Sequence, residues 1–114
     1  MIVLNKRNGK RVDAEGAIGV LEKVRGLMFR RKPVSLLFDF FEDGMHPIHS
    51  LFVFHPFWAI YINSSGTVVD KFRVEPFGLA KRNRVPARYL LETQHGGYFD
   101  IGDEVKIDVR MEDY

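Results

Sequence analysis

Apolar positions along this chain fall mostly at strand spacing, with one stretch at helical spacing. Ile2–Asn5 is short and rich in β-branched residues, and Asn8-Gly9 separates it from Arg11-Val12. Asn-Gly accommodates positive φ at both central positions of a type I′ turn, so the opening predicts a hairpin. A helix over residues 15–30 follows from Ala17, Val20, Leu21, Val24, Leu27 and Met28, which recur at i, i+3, i+4 and i+7. Asp13 is its candidate N-cap, bases crowd its far end where the helix dipole favours cations, and Pro33 closes it.

Beyond the helix the pattern predicts strands. Residues 34–41 are apolar on both faces, as a central strand requires, and Glu42-Asp43-Gly44 reads as a turn. Residues 48–54 and 57–63 are two further apolar strands divided by His55-Pro56, and Ser64-Ser65-Gly66 turns into residues 67–74. Residues 75–86, with two prolines, a glycine and several bases, read as a loop. Residues 89–93 and 104–110 form the last two strands, joined through Gly96-Gly97 and Gly102-Asp103. The expected fold is mainly β (α+β), an antiparallel barrel- or sandwich-like sheet with the helix covering one open side.

Composition narrows this further. A chain of 114 residues, 46% hydrophobic and 28% charged, reads as one domain over residues 1–114 with a single core. It has no cysteine, which removes disulfides, thiolate metal sites and a cysteine nucleophile together. The net charge of +2 is unevenly spread, with +6 over residues 1–34, −3 over 35–79 and −1 over 80–114. A basic first third suits an anionic partner and suits solubility equally. With no secretory or spanning apolar run, the expectation is a cytoplasmic protein with no membrane partner. The scarcity of Gln and Asn hints at a heat-adapted source.

The polar candidates are few. His49 and His55, on one face of a strand, would stand roughly 20 Å apart and cannot share a metal. His46 and His49 can meet around Pro47, with Glu42 or Asp43 as a third ligand, but a zinc site wants three or four ligands with oriented outer partners, and the reading is that no metal is bound. His49 cannot serve its neighbour Ser50 as a base, because adjacent strand residues point to opposite faces. No G-x-S-x-G elbow, Walker sequence or G-x-G-x-x-G loop is present. Glu92 lies among apolar residues and needs a partner if buried, for which Arg25 is the natural candidate.

Four segments carry a family resemblance. Arg25-Gly26-Leu27-Met28-Phe29-Arg30, Leu36-Leu37-Phe38-Asp39-Phe40, Ile48-His49-Ser50 followed by Pro56, and Tyr89-Leu90-Leu91-Glu92 with Ile101-Gly102-Asp103-Glu104-Val105 resemble the DUF192 proteins. These are small prokaryotic domains of uncharacterised function. The resemblance implies a mainly β fold with a helix packed on it, and it implies no reaction. Two positions depart from the family pattern: Val53 stands at a usual methionine and Trp58 at a usual aspartate. An indole cannot act as base or ligand where a carboxylate could.

Three functions follow. The first is a non-catalytic module that binds a small molecule or a protein through Arg25, His49, Trp58 and Glu92, without a cofactor, as a monomer or weak homodimer. The second is a small hydrolase-like or metal-assisted enzyme using His49 and Glu92; the missing nucleophile motif leans against catalysis. The third is a nucleic-acid-binding domain using Arg30, Arg31, Lys32, Lys81, Arg82 and Arg84.

Overall fold

Eight strands order the chain in a computed structural model that describes residues 1–17, 34–47, 55–76 and 81–108. They are β1 (Ile2–Asn5), β2 (Arg11–Asp13), β3 (Glu15–Ala17), β4 (Leu36–Gly44), β5 (Phe57–Ile62), β6 (Val68–Val74), β7 (Ala87–Thr93) and β8 (Val105–Asp108), with a 3-10 turn at Gly96–Tyr98. Strands β2-β1-β8 make a three-stranded antiparallel sheet, and β3-β4-β7-β5-β6 make a five-stranded one. The mainly β class is as expected, but the sheets do not close into a barrel.

The inter-sheet core explains the apolar runs. Val3 and Val12 from the small sheet meet Leu37, Ile60, Ile62 and Leu91 from the large one, with Phe99 beside them. The large sheet's other face buries Leu36, Phe38, Phe57, Ala59, Tyr61, Val74 and Leu90. A sheet buried on both faces needs strands without polar alternation, and β4, β5 and β7 have that composition.

Several expectations need correction. Glu15–Ala17, expected to start the helix, is a strand running parallel to β4, with Glu15 opposite Leu36. The sheet is therefore mixed rather than antiparallel, and no α-helix occurs among the described residues. Residues 18–30 of the expected covering helix lie outside the described residues, as does the strand expected over 48–54. Glu42-Asp43-Gly44 extends β4 instead of turning it, because a register shift between Asp39 and Gly44 absorbs the extra residues. Phe41 takes φ 67° within that irregular stretch. The first hairpin forms, yet not with a type I′ turn: only Gly9 of the Asn8-Gly9 pair has positive φ (72°), and Gly9 N–H donates to the Asn5 carbonyl across a longer loop. A second register shift, between Tyr61 and Ile62, sends Val68 into the inter-sheet core while Phe72 and Val74 pack on the opposite face. A uniform two-residue alternation along β6 is broken there.

The two ends of the chain are stitched by a buried polar hub. Asn5 Nδ2 donates to Asp103 Oδ2 at 2.7 Å and to the Tyr98 carbonyl at 2.8 Å. Arg7 Nε donates to Asp103 Oδ1 at 2.7 Å, and Asp100 N–H to Asp103 Oδ2 at 2.8 Å. The Arg7 hydrogen bond is the chief reason Asp103 stays far below the usual carboxylate range. Asp103 thus accepts a backbone bond in a turn and also locks β1 to the β8 approach.

Candidate functional site

The outer face of the five-stranded sheet holds the chemistry, and register alone builds its centre. Glu92 on β7 stands between Leu36 on β4 and Ala59 on β5, with Leu90 two residues away on the same face. Ala59 in turn pairs with Phe72 on β6, and Phe57 and Tyr61 flank it along β5. Glu92 is 4% exposed, and its Oε2 has no hydrogen-bond partner. Burial pushes its carboxyl up to about 8, so that it is mostly protonated at neutral pH. Buried polar groups in folded proteins are nearly always paired, which makes this atom an exception that needs a cause.

Polar groups satisfied by their own partners lie further along this face, toward its Ala87 end. Tyr61 O–H donates to the His46 carbonyl at 2.7 Å. Burial first, then the charges of Glu92 and Asp70, raise the Tyr61 phenol well above its ordinary value. The His46 ring stacks on Phe40 with centroids 3.7 Å apart, and its Nε2 lies 3.0 Å from the Ala87 carbonyl. Asn83 accepts from His46 N–H at 2.8 Å and donates to the carbonyls of Gly44 and Val85. Asp70 accepts from Arg84 Nη2 at 2.5 Å and from Arg84 N–H at 2.8 Å. Burial alone would raise Asp70, but the Arg84 bonds and the Lys71 backbone bond outweigh it and hold the carboxyl low.

The structure does not gather the expected site residues into one place. Trp58 packs toward the inter-sheet core, on the face opposite Glu92, with Lys71 Nζ 4.9 Å above its ring. The ring lies against Gly96, where an added Cβ would overlap its Cγ, Cδ1 and Cδ2. Arg25 and His49 lie outside the described residues, as do Arg30, Arg31 and Lys32. Of the remaining bases, Arg84 is committed to Asp70, Lys81 Nζ reaches the Arg73 carbonyl at 3.3 Å and sits 5.7 Å over Phe72, and Arg82 is exposed. Among the described residues no three His, Asp or Glu side chains converge as metal ligands.

Sequence reasoning missed the Asp70–Arg84 and His46–Asn83 links. An aspartate at the same alternating positions as Phe72 and Val74 was the available signal for the first. No local signal marked Asn83, whose role depends on loop packing.

These features define a two-sheet β domain with one unpaired carboxyl sunk in an aromatic face. The chain belongs to the DUF192 family, whose model, described as "Uncharacterized ACR", matches residues 2–108. It is 31% identical over 98 residues to the UPF0127 protein PF1050 of Pyrococcus furiosus, covering 82% of this chain and 84% of the relative. Two crystal structures share the fold. One is a Sinorhizobium meliloti protein described as a candidate transcription regulator, at 25% identity and a TM-score of 0.77, over 92% of this chain and 89% of that one. The other is a Novosphingobium aromaticivorans protein of unknown function, at 19% identity and a TM-score of 0.82, over 93% and 82%. No helix among the described residues is long and apolar enough to cross a membrane.

Proposed function

We propose that this protein is a non-catalytic cytoplasmic module that binds a small molecule on the outer face of its large sheet. The supporting observation is Glu92 Oε2, a buried atom without a partner amid Leu36, Ala59 and Leu90. A lone carboxyl costs stability as a structural element, so its retention favours a ligand that completes it. Glu92 is the polar anchor in this reading. Arg25 and His49 join it on sequence grounds, whereas Trp58 lies on the other face of the sheet. The neighbouring Tyr61, Asp70 and Asn83 are already hydrogen-bonded, which suits binding better than proton transfer.

The test is retention of a cellular small molecule. The protein is incubated with a deproteinised cell extract, freed of unbound compounds, denatured and analysed by mass spectrometry. One compound held near stoichiometry, and lost in Glu92→Leu at unchanged fold, is expected. Equal retention by the two proteins, or none by either, overturns the reading. Hydrolytic or metal-dependent turnover abolished by changing His49 or Glu92 would replace it with the enzymatic alternative.

A second reading, nucleic-acid binding through the basic residues, draws on the Sinorhizobium relative's description. The commitment of Arg84 to Asp70 weakens it. Salt-sensitive binding of a DNA or RNA oligonucleotide, reduced by charge reversal at Lys81 and Arg82, would favour it.

A further inference from the structure

We propose that the first hairpin tip and the stacked rings of His95 and Tyr98 beside it bind a single-stranded nucleic acid. Lys6, Lys10 and Arg11 take its phosphates, and the exposed His95 ring stacks on one of its nucleobases. This goes beyond the small-molecule reading and uses a surface other than that of Lys81 and Arg82.

Residues 6–11 read Lys-Arg-Asn-Gly-Lys-Arg, four cations with no acid among them, and all six are exposed. Asn5 N–H donates to the Lys10 carbonyl at 2.8 Å and Gly9 N–H to the Asn5 carbonyl at 2.9 Å, which closes the loop into a tight tip. Arg7 is engaged by Asp103 and Asp100. Lys6, Lys10 and Arg11 form no ion pair among the described residues. The exposed Glu104, whose carbonyl accepts from Lys6 N–H, offsets part of their charge. Like charges gathered on so short a loop repel one another and attract an anion.

An aromatic pair from the far end of the chain is fixed against this tip. Asn5 Nδ2 and Asn8 Nδ2 both donate to the Tyr98 carbonyl, at 2.8 and 3.1 Å, and Lys10 Nζ sits 5.6 Å from the Tyr98 ring centroid. The His95 ring stacks on Tyr98 with centroids 4.9 Å apart and planes 12° from parallel. Tyr98 is half-buried while His95 is exposed, so the imidazole is the outer plate of the stack. Asp100, two residues past Tyr98, would repel a phosphate, but Arg7 at 3.1 Å and Lys71 at 3.6 Å meet its charge.

Cations that track a phosphate chain, next to a flat exposed ring, suit a single strand, because every nucleobase offers a π-face. A duplex keeps those faces stacked inside. An acidic peptide would meet the cations and give the ring nothing comparable.

Fluorescence anisotropy at low salt compares a labelled oligothymidylate with an abasic strand of the same length and with a duplex. The oligothymidylate should bind at least about fivefold more tightly than the abasic strand. His95→Ala should erase that preference and leave the abasic affinity unchanged. Lys6→Gln and Lys10→Gln should each weaken both strands and make the dependence of log K on log salt shallower by about 0.7. Should a variant's urea midpoint fall, the wild-type preference for bases decides alone. Equal binding of the oligothymidylate and the abasic strand, tighter binding of the duplex, or no binding of any of them overturns the proposal. So does binding that Lys81→Glu and Arg82→Glu abolish and the hairpin variants keep, which assigns the nucleic acid to the other basic loop. None of these outcomes bears on small-molecule retention through Glu92, which is measured separately.

Discussion

Replacing Glu92 by Gln should make the protein more stable at neutral pH and leave it little changed in mild acid. The carboxyl titrates near 4.5 in the unfolded chain and is pushed up to about 8 by burial in the folded one. The folded state therefore holds the proton more tightly. Stability is fully present below the unfolded value, declines as pH rises between the two, and levels off above the folded one. At about 1.4 kcal/mol per pH unit, the decline between about pH 5 and pH 7.5 amounts to about 3 kcal/mol. Glutamine has nearly the same shape and no charge to desolvate, so its stability lacks this term. Urea unfolding of the two proteins at several pH values measures the difference directly. With a slope of about 1.5 kcal/mol/M, the wild-type midpoint should fall by about 2 M relative to the variant over that interval. Asp103 and Asp70 titrate below the window and Tyr61 above it. The histidines are common to both proteins and cancel in the comparison. Two midpoint-versus-pH curves that run parallel would refute the reasoning, because Glu92 would then be paired or solvated.

Other perturbations probe the remaining framework. Asp103→Ala takes one of two acceptors from the buried Asn5 amide and removes the Arg7 bonds, and should cost about 2 kcal/mol in chemical denaturation. Because Asp103 is held low in the folded state, its contribution is present above its unfolded value of 3.8 and is lost as pH falls below it. Asp103→Asn should therefore flatten the acid limb of stability, and an unchanged limb would count against the hub. Gly96→Ala drives a methyl group into the Trp58 ring and should cost about 1–3 kcal/mol, with a shift in tryptophan emission; wild-type emission and stability would mean the contact is loose. Leu91→Ala, in the centre of the inter-sheet core, should cost about 2–5 kcal/mol by calorimetry or urea unfolding, and a change within error would remove it from the core.

Local information was enough for the strands whose neighbours in sequence carry the whole signal. Residues 57–62 are apolar without interruption, so they had to lie in a sheet buried on both faces, and β5 does. The Asn8-Gly9 hairpin likewise follows from backbone preferences, although its loop type depended on where Asn5 could bond. Family membership was legible in residues 25–30 and 101–105, because turn and core requirements repeat as fixed residue strings.

What neighbours in space decide was not legible. Glu15–Ala17 became a strand because β4 offered an open edge, and an open row of amide and carbonyl groups outweighs three residues of helical spacing. The two register shifts, which decide which face Val68 and the β4 end present, arise from pairing between distant strands. Trp58 and Glu92, grouped by sequence, fall on opposite faces because pairing sets Trp58 opposite Thr93 and Glu92 opposite Ala59. Side chains alternate along a strand, so a single step of register separates them through the thickness of the sheet.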